Sequence, residues 1–283
     1  MSKSRSVWAA IKDAVRSHVP PALWQSLRLL KIRMAKWMFK PYVTRQRFGD
    51  VELSVQISDP MARAWYGRGG GLLTEIQLLN KSALQAGARV FDLGAHQGVV
   101  ALQLAHEVGP AGLVVAVEAN SHNAALAREN CRLNGAVNVV VEHAAAASRP
   151  GWISFSRDWD GQAVGRGCAK VPAITVDELC GRYGQPHVLY IDVEGYECEV
   201  LAGASKALAH APDLYIEVHA GCGLEDFGGD VEKVLSHLPP DAYELYAIRP
   251  APTPGDSDYV CGFDRNLDWI RSRFYLVALK KLK

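Results

Sequence analysis

From residue 88 the sequence alternates short apolar runs with longer stretches of helical periodicity. The strand-like runs are rich in Val, Leu and Ile: RVFDL (89–93), LVVAV (113–117), VNVVVEH (137–143), VLYID (188–192) and DLYIEVH (213–219). Helix-like segments such as VVALQLAHEV and HNAALARENCRLNG lie between them. Nearly continuous apolar strands that alternate with helices are typical of a parallel sheet covered by helices on both faces. The sequence therefore predicts an α/β fold.

The first 50 residues differ in charge from the rest of the chain. They contain eleven Lys and Arg but only two Asp and Glu, a net charge of +9, whereas the whole chain carries +1. Helical periodicity extends over 7–16 and 22–39, and the alternating strand VELSVQI follows at 51–57. We therefore predict a basic helical N-terminal extension over 1–50 and one α/β domain over 51–283.

The segment 22–39 combines apolar residues at helical spacing with Lys and Arg. One hypothesis is peripheral contact with an anionic membrane surface. The alternatives are packing against the core or against a second copy of the chain in a homo-oligomer, and packing is the usual fate of an amphipathic helix.

Composition excludes several classes of protein. A net charge near zero argues against a nucleic-acid-binding protein. The six cysteines are scattered without a CxxC pair, so neither a cysteine metal site nor a disulfide framework is indicated. There is no signal-peptide pattern and no apolar run long enough to cross a bilayer. We expect a cytoplasmic protein with reduced thiols.

Acidic residues recur where the predicted strands end. Asp92 and Glu118 are 26 residues apart, and Asp192 and Glu217 are 25 apart, which is about one strand–helix unit. In an open parallel sheet, ligands bind at the carboxyl ends of the strands. The four carboxylates are therefore expected to converge on one edge of the sheet.

The first strand–helix turn, DLGAHQG at 92–98, indicates what this edge binds. It lacks the G-x-G-x-x-G arrangement that places a pyrophosphate on a helix N-terminus. An Asp at the head of the turn suits a ligand that carries an ammonium group and no phosphate, such as S-adenosylmethionine. Glu118 is placed to accept hydrogen bonds from ribose hydroxyls. Alternatively, Gly94 and Gly98 only permit a tight turn, which would leave the two acids unexplained.

These motifs resemble those of a known family. VFDLGAHQGVVALQLA and VVAVEAN resemble the first two motifs of class I S-adenosylmethionine-dependent methyltransferases. Three further motifs make the resemblance more specific to the FkbM family of methyltransferases: ITVDEL (174–179), YIDVEGYECEVLAGA (190–204) and LYIEVH (214–219). The resemblance covers roughly residues 72–220. The resemblance implies a Rossmann-like class I methyltransferase sheet, mostly parallel with an antiparallel last strand, and helices on both faces.

The resemblance and the strand-end positions together assign candidate cofactor-binding residues. Those around the first two strands are Asp92, Gly94, Ala95, Gly98, Glu118 and Asn120. Glu75, on the preceding helix, is a candidate for the amino-acid end of S-adenosylmethionine. His143 and Ala144 follow the third strand, where such folds contact the adenine, although His143 could equally be an ordinary loop histidine.

The candidate catalytic residues are Asp192, Glu194, Glu217 and His219. His219 or Asp192 could act as general base on an acceptor hydroxyl. Alternatively, Asp192, Glu217 and His219 could hold a divalent cation, Mg²⁺ or Mn²⁺, that binds the hydroxyl. The metal-free route is preferred, so no metal-binding residue is assigned. Glu197 and Glu199 are expected to favour a helix N-terminus, a structural role.

The resemblance implies an O-methyltransferase that uses S-adenosylmethionine and a small-molecule or glycan acceptor with a free hydroxyl, such as a sugar or a polyketide-type product. Residues 156–167 would form a flap beside the site, and the loop 249–272 its opposite wall. Two alternatives remain: an NAD-dependent oxidoreductase on a similar sheet, and a non-catalytic module that docks on a membrane or a partner.

Overall fold

The computed structural model describes residues 34, 37–155, 169–251 and 258–281. The predicted helix 7–16, most of the helix predicted at 22–39, and the predicted flap at 156–167 lie outside these residues. Every helix in the described ranges is too short or too polar to cross a membrane.

The described strands, in chain order, are β1 (Tyr42–Phe48), β2 (Val51–Ile57), β3 (Arg89–Leu93), β4 (Leu113–Glu118), β5 (Val139–His143), β6 (Ala145–Ala146), β7 (Gly151–Phe155), β8 (Ala169–Ile174), β9 (Val188–Ile191), β10 (Asp213–Val218), β11 (Tyr243–Arg249), β12 (Tyr259–Gly262) and β13 (Phe274–Lys280). The helices are α1 (Pro60–Tyr66), α2 (Thr74–Leu79), α3 (Val99–Val108), α4 (Ser121–Leu133), α5 (Val176–Tyr183), α6 (Glu197–Ala202), α7 (Ser205–Leu208) and α8 (Val231–Ser236). Short 3₁₀ turns cover Leu224–Phe227 and Asp268–Arg271.

Eight strands form the central sheet in the order β12-β11-β13-β10-β9-β3-β4-β5. The five strands from β10 to β5 are parallel to one another. β13 lies antiparallel between β10 and β11, and β12 pairs antiparallel with β11 at the edge. The predicted fold class, a mostly parallel sheet with an antiparallel last strand, is confirmed.

Side chains from the central strands fill a hydrophobic core on each face of the sheet. Leu93 and Ile191 belong to the core on one face, and Val90 and Tyr190 belong to the core on the other. Alternate residues of one strand point to opposite faces, so a strand buried on both sides is apolar at nearly every position. This burial explains the near-continuous apolar runs in the sequence.

The chain passes outward from β3 to β4 and β5, and then returns to build β9 and β10 on the other side of β3. The strand order therefore reverses between β3 and β9. In open α/β sheets a crevice forms at such a reversal, at the carboxyl ends of the strands. The fold thus places a candidate site next to the ends of these two strands.

Residues 42–48, predicted to belong to a helical extension, instead form β1, which pairs antiparallel with β2. The helical prediction is wrong here because Phe48 lies in a small core with side chains of β2, α1, α3 and α4, whereas most other side chains of β1 face solvent or are half-buried. Ser54 of β2 donates its N–H to the Asn134 Oδ1 and accepts from the Asn134 Nδ2, both at 2.8 Å. The helix that ends at Asn134 therefore satisfies the outer edge of this hairpin.

A second, three-stranded sheet lies beside the central one: β7 and β8 pair antiparallel, and β6 pairs parallel with β8. Helix α5 follows with a capping box in which Thr175 and Glu178 each bond the other's backbone N–H. This three-stranded sheet carries the chain from the end of β5 back to the start of β9.

Candidate active site

Four carboxylates lie at the carboxyl ends of four adjacent strands. Asp92 is on β3, Glu118 ends β4, Asp192 follows β9 and Glu217 is on β10. All four line one cavity of about 530 Å³. The convergence predicted from their spacing is therefore present in the structure.

The turn after β3 brings two strand ends into close contact. Gly94 has φ +96°, and its N–H donates to the Val117 carbonyl at 2.9 Å. A Cβ at this position would overlap the carbonyl oxygen of Asp192. Gly94 is therefore required both by its backbone conformation and by the close approach of the β9 end.

Glu118 is bonded to the backbone on both sides of the cavity. Its Oε2 accepts from the His96 N–H at 2.8 Å, and its Oε1 accepts from the Asn120 N–H at 2.7 Å. Burial nevertheless raises the pKa of Glu118 to about 7. Burial, together with the Glu118 charge, also raises the pKa of Asp92 to about 7. Two buried acids side by side favour a bound positive charge.

Glu75 of α2 is a third buried acid in the same cavity. The Tyr190 hydroxyl donates to its Oε1 at 2.7 Å, and the Tyr190 ring stacks on that of Tyr215 at 4.1 Å. Burial raises the pKa of Glu75 to about 7, against the lowering effect of the Tyr190 hydrogen bond. The cavity is therefore poor in compensating positive charge at this end.

Aromatic side chains form the wall beside the first turn. The Tyr66 hydroxyl lies 2.8 Å from the His96 Nδ1, and Trp65 packs edge-on against the same imidazole at 5.1 Å. Burial lowers the pKa of His96 to about 4, so its ring is neutral at physiological pH. This wall offers apolar ring faces and a neutral hydrogen-bonding edge.

At the other end of the cavity, His219 is surrounded by acids. Its Nδ1 lies 2.7 Å from the Glu197 Oε1, and its Nε2 lies 3.2 Å from the Glu194 Oε2 and 3.6 Å from the Glu217 Oε1. Burial lowers the pKa of His219, but the neighbouring carboxylates of Glu194 and Glu197 outweigh this effect and raise the pKa to about 11. A histidine with such a pKa is a poor general base near neutral pH.

Nine of the predicted site residues line the cavity: Glu75, Asp92, Gly94, Ala95, Glu118, Ala144, Asp192, Glu194 and Glu217. Gly98, Asn120, His143 and His219 do not. Gly98 has φ +77° and packs on Ala127, and the Asn120 side chain caps α4 through the N–H groups of His122 and Asn123. The His143 Nε2 bonds the Ala119 carbonyl at 3.2 Å. These three positions support the loops around the cavity.

Asp258 lines the cavity and belongs to the loop 249–272, which the sequence predicts as a wall of the site. Several other residues of the cavity and site are absent from the predicted set: Trp65, Tyr66, His96, Tyr190, Glu197, Arg273 and Tyr275. Most reach the site through contacts distant in sequence, which leave no local pattern. Glu197 is the exception, because its placement two residues after Gly195 was visible. The expected role of Glu197 at a helix N-terminus is incomplete, because the side chain is fully buried and bonds both His219 and the Gly195 N–H.

Comparison with known proteins places this site in context. A family model described as "Methyltransferase FkbM domain" matches residues 92–242, which is more than half of the chain. The chain is 39% identical over 72 residues to the hexuronic acid methyltransferase AglP of Haloferax volcanii. That alignment covers 25% of this chain and 28% of the relative.

Solved structures of methyltransferases match the chain at low sequence identity. The FkbM methyltransferase of Methylobacillus flagellatus is 20% identical with a TM-score of 0.47, over 68% of this chain and 43% of that one. An S-adenosylmethionine-dependent O-methyltransferase of Thermotoga maritima is 15% identical with a TM-score of 0.43, over 86% and 78% of the two chains. The match thus spans less than half of both AglP and the Methylobacillus protein.

Proposed function

The chain belongs to the FkbM family of methyltransferases, and from this premise we propose that it transfers the methyl group of S-adenosylmethionine to a hydroxyl of a sugar-like small molecule. The family match confirms the methyltransferase class and the resemblance drawn from the sequence motifs. The observation that carries the finer proposal is the distribution of acids in the cavity: one group around β3 and β4, and a second around β9 and β10.

We assign the first group of acids to the cofactor. Asp92 and Glu75 are buried and suited to its ammonium and sulfonium charges, and Glu118 keeps lone pairs for the ribose hydroxyls. Among the described residues that line the cavity, Arg273 is the only Lys or Arg. A dinucleotide pyrophosphate would therefore meet acids rather than bases, which argues against the oxidoreductase alternative.

We assign the second group of acids to the acceptor. Methyl transfer is an in-line displacement, so the acceptor oxygen must be held opposite the sulfur. The buried Asp192 Oδ1 has no hydrogen-bond partner among the described residues and is available to an acceptor hydroxyl. Asp192, Glu194 and Glu217 would repel an acceptor carboxylate, so a hydroxyl is the favoured nucleophile.

The rest of the lining suits a sugar. Trp65 is half exposed at the cavity wall, and Tyr196 and Tyr275 add further aromatic surface. Aromatic rings pack well on the apolar faces of sugars while acids bind their hydroxyls. AglP, which shares 39% identity over a short stretch, is named as a hexuronic acid methyltransferase.

The five cysteines that the structure describes are all free, which supports the proposed cytoplasmic location.

Two measurements test the proposal. Calorimetry should detect binding of S-adenosylmethionine and none of NAD. The full chain, given methyl-labelled S-adenosylmethionine with neutral sugars and with uronic acids, should give a labelled product that survives mild alkali, as a methyl ether does. A product that releases labelled methanol in alkali would be a methyl ester and would overturn the assignment to a hydroxyl.

Paired variants separate the two groups of acids. Asp92→Asn should weaken cofactor binding at least tenfold, on the order of 1.4 kcal/mol or more. Asp192→Asn should keep cofactor binding within about twofold and lose turnover. Glu129, which is partly exposed and pairs with Arg132 on α4, provides the control Glu129→Gln. If both Asp variants bind the cofactor like the parent, the division of the cavity is wrong.

A further inference from the structure

The orientation of His219 is fixed by a buried partner. Glu197 is completely buried, and its Oε1 lies 2.7 Å from the His219 Nδ1. A carboxylate is an acceptor, so Nδ1 must carry the proton of this hydrogen bond. The opposite nitrogen, Nε2, is then the one directed toward the cavity acids.

Among the residues that the structure describes, the His219 Nε2 has no hydrogen-bond partner of good geometry, although the side chain is 2% exposed. It lies 3.2 Å from a Glu194 oxygen, and the buried Asp192 Oδ1 beside it is also unpartnered. One ligand atom from each of Asp192, Glu194 and His219 lies within 4.8 Å of the other two. The His219 Nε2 faces two carboxylates, an arrangement that needs positive charge between them, supplied either by a proton on Nε2 or by a metal cation.

We propose that Asp192, Glu194 and His219 form a divalent-cation site, with Mn²⁺ as the favoured ion, and that the bound cation takes up the acceptor hydroxyl. The cation site follows from the geometry of the three side chains. Its role toward the acceptor rests on the proposed function.

The ligand chemistry selects the type of ion. Two carboxylates and one imidazole are harder than a cysteine site and softer than the all-oxygen sites typical of Mg²⁺. The pair formed by Glu197 and His219 has the form of the carboxylate–histidine–metal arrangement, in which the outer carboxylate orients the ligand. Glu217 lies 3.4 Å from the Arg273 guanidinium, which leaves it outside the proposed set. Glu194 therefore replaces Glu217 in the set suggested from the sequence.

The chemistry of the step balances with the groups present. The cation would withdraw electron density from the acceptor hydroxyl and make its proton easier to remove. The proton passes to Glu217 and then to solvent, while the oxygen forms a bond to the methyl carbon. The carbon–sulfur bond breaks with its electron pair left on sulfur, and the neutral S-adenosylhomocysteine leaves.

Cation binding can be measured without any acceptor. We expect chelator-treated full chain, titrated with MnCl₂ and followed by electron paramagnetic resonance, to take up one Mn²⁺ per chain. Glu194→Gln should weaken this binding by about tenfold or more. Glu194 is the safest ligand to change, because its side chain is 36% exposed and its loss should not disturb the core. Glu197→Gln should weaken Mn²⁺ binding through His219.

A neighbouring acid supplies the matched control. Glu199 lies on the same helix, but its carboxylate bonds the Ser148 hydroxyl rather than His219. Glu199→Gln should therefore bind Mn²⁺ like the parent. If the parent binds no Mn²⁺ and ¹⁵N spectra show both His219 nitrogens protonated, the site is an imidazolium held by acids and the proposal is overturned.

Calorimetry with S-adenosylmethionine on the same samples separates this proposal from the proposed function. Cofactor binding together with chelator-resistant turnover would remove the cation site and leave the methyltransferase proposal intact. Mn²⁺ binding without S-adenosylmethionine binding would support the cation site and contradict the methyltransferase proposal.

Discussion

Three buried carboxyls give the cavity its chemical character. Burial raises the pKa values of Glu75, Asp92 and Glu118 to about 7. In the unfolded chain these groups ionise near their ordinary values of 4.5, 3.8 and 4.5. The folded protein therefore holds protons that the unfolded chain has already lost, and the contribution of these groups to stability falls as the pH rises toward 7. A cationic ligand reverses this preference because it favours the ionised carboxyls.

The affinity for S-adenosylmethionine should consequently rise with pH. If one carboxyl loses its proton on binding, the affinity should increase about tenfold between about pH 6 and pH 8. Calorimetry in buffers of different ionisation enthalpy should show that protons are released. Asp92→Asn should flatten the pH dependence of whatever binding remains. An affinity that is constant over this range in the parent would contradict the assignment of these acids to a cation.

At the scale of elements, the ends of β3 and β9 fit closely around Gly94. Gly94 and Gly135 both have positive φ, but a Cβ at Gly94 would overlap the Asp192 carbonyl, whereas a Cβ at Gly135 would meet no atom within 4 Å. Gly94→Ala should therefore cost about 2–4 kcal/mol of unfolding free energy and abolish cofactor binding. Gly135→Ala should cost only about 1 kcal/mol, from the backbone conformation alone. Denaturant unfolding of the two variants measures the difference. Equal losses of unfolding free energy would mean that the close approach of the Asp192 carbonyl to Gly94 does not affect stability.

The hairpin of β1 and β2 depends on side chains of α4. Asn134 pairs with both backbone groups of Ser54, and the Asn130 Oδ1 accepts from the Gln56 N–H at 2.8 Å. Asn134→Ala should lower the unfolding free energy by about 1–3 kcal/mol and speed amide hydrogen exchange in β2. Asn266→Ala is the control, because Asn266 is exposed and its hydrogen bonds within the described part of the chain go to the neighbouring Asp264. This variant should stay within about 0.5 kcal/mol of the parent. Unchanged exchange in β2 would show that the hairpin does not need Asn134.

Strands with a strong apolar pattern could be predicted, and those without it could not. β3, β4 and β9 are buried on both faces, so their sequences are apolar at nearly every position and predict buried strands. β1 is mostly polar, with Arg45 and Arg47 in its middle, and it exists because β2 and α4 provide a surface to pair and pack on. β12 lies at the edge of the sheet, where it pairs with β11 and is mostly exposed. Its sequence therefore lacks the apolar pattern of a buried strand.

At the scale of the whole molecule, topology made part of the site predictable. Parallel strands end at one edge of the sheet, so the acids that terminate β3, β4, β9 and β10 had to meet. Pairings across the molecule were not visible in this way. The bond from Tyr190 to Glu75 and the contact between Tyr66 and His96 join segments that only the finished fold brings together.

The charge of the N-terminal residues belongs to this scale too. Residues 1–33 carry seven Lys and Arg against one Asp. If they attach the protein to a membrane, deleting them should abolish binding to vesicles that contain anionic lipid, because each basic residue near such a surface contributes about 1 kcal/mol. Sedimentation with anionic and with neutral vesicles would measure this. Equal partitioning of the full and shortened chains would rule out a membrane role for these residues.

The position of β13 has a consequence for how the protein is made. This strand lies between β10 and β11, and Arg273 and Tyr275 beside and within it line the cavity. A ribosome delivers residues in order, so β10 and β11 emerge before the strand that must separate them. Until residues 274–280 leave the exit tunnel, the nascent chain has an open gap in the middle of its sheet, and the pocket can acquire a ligand only after that gap is filled.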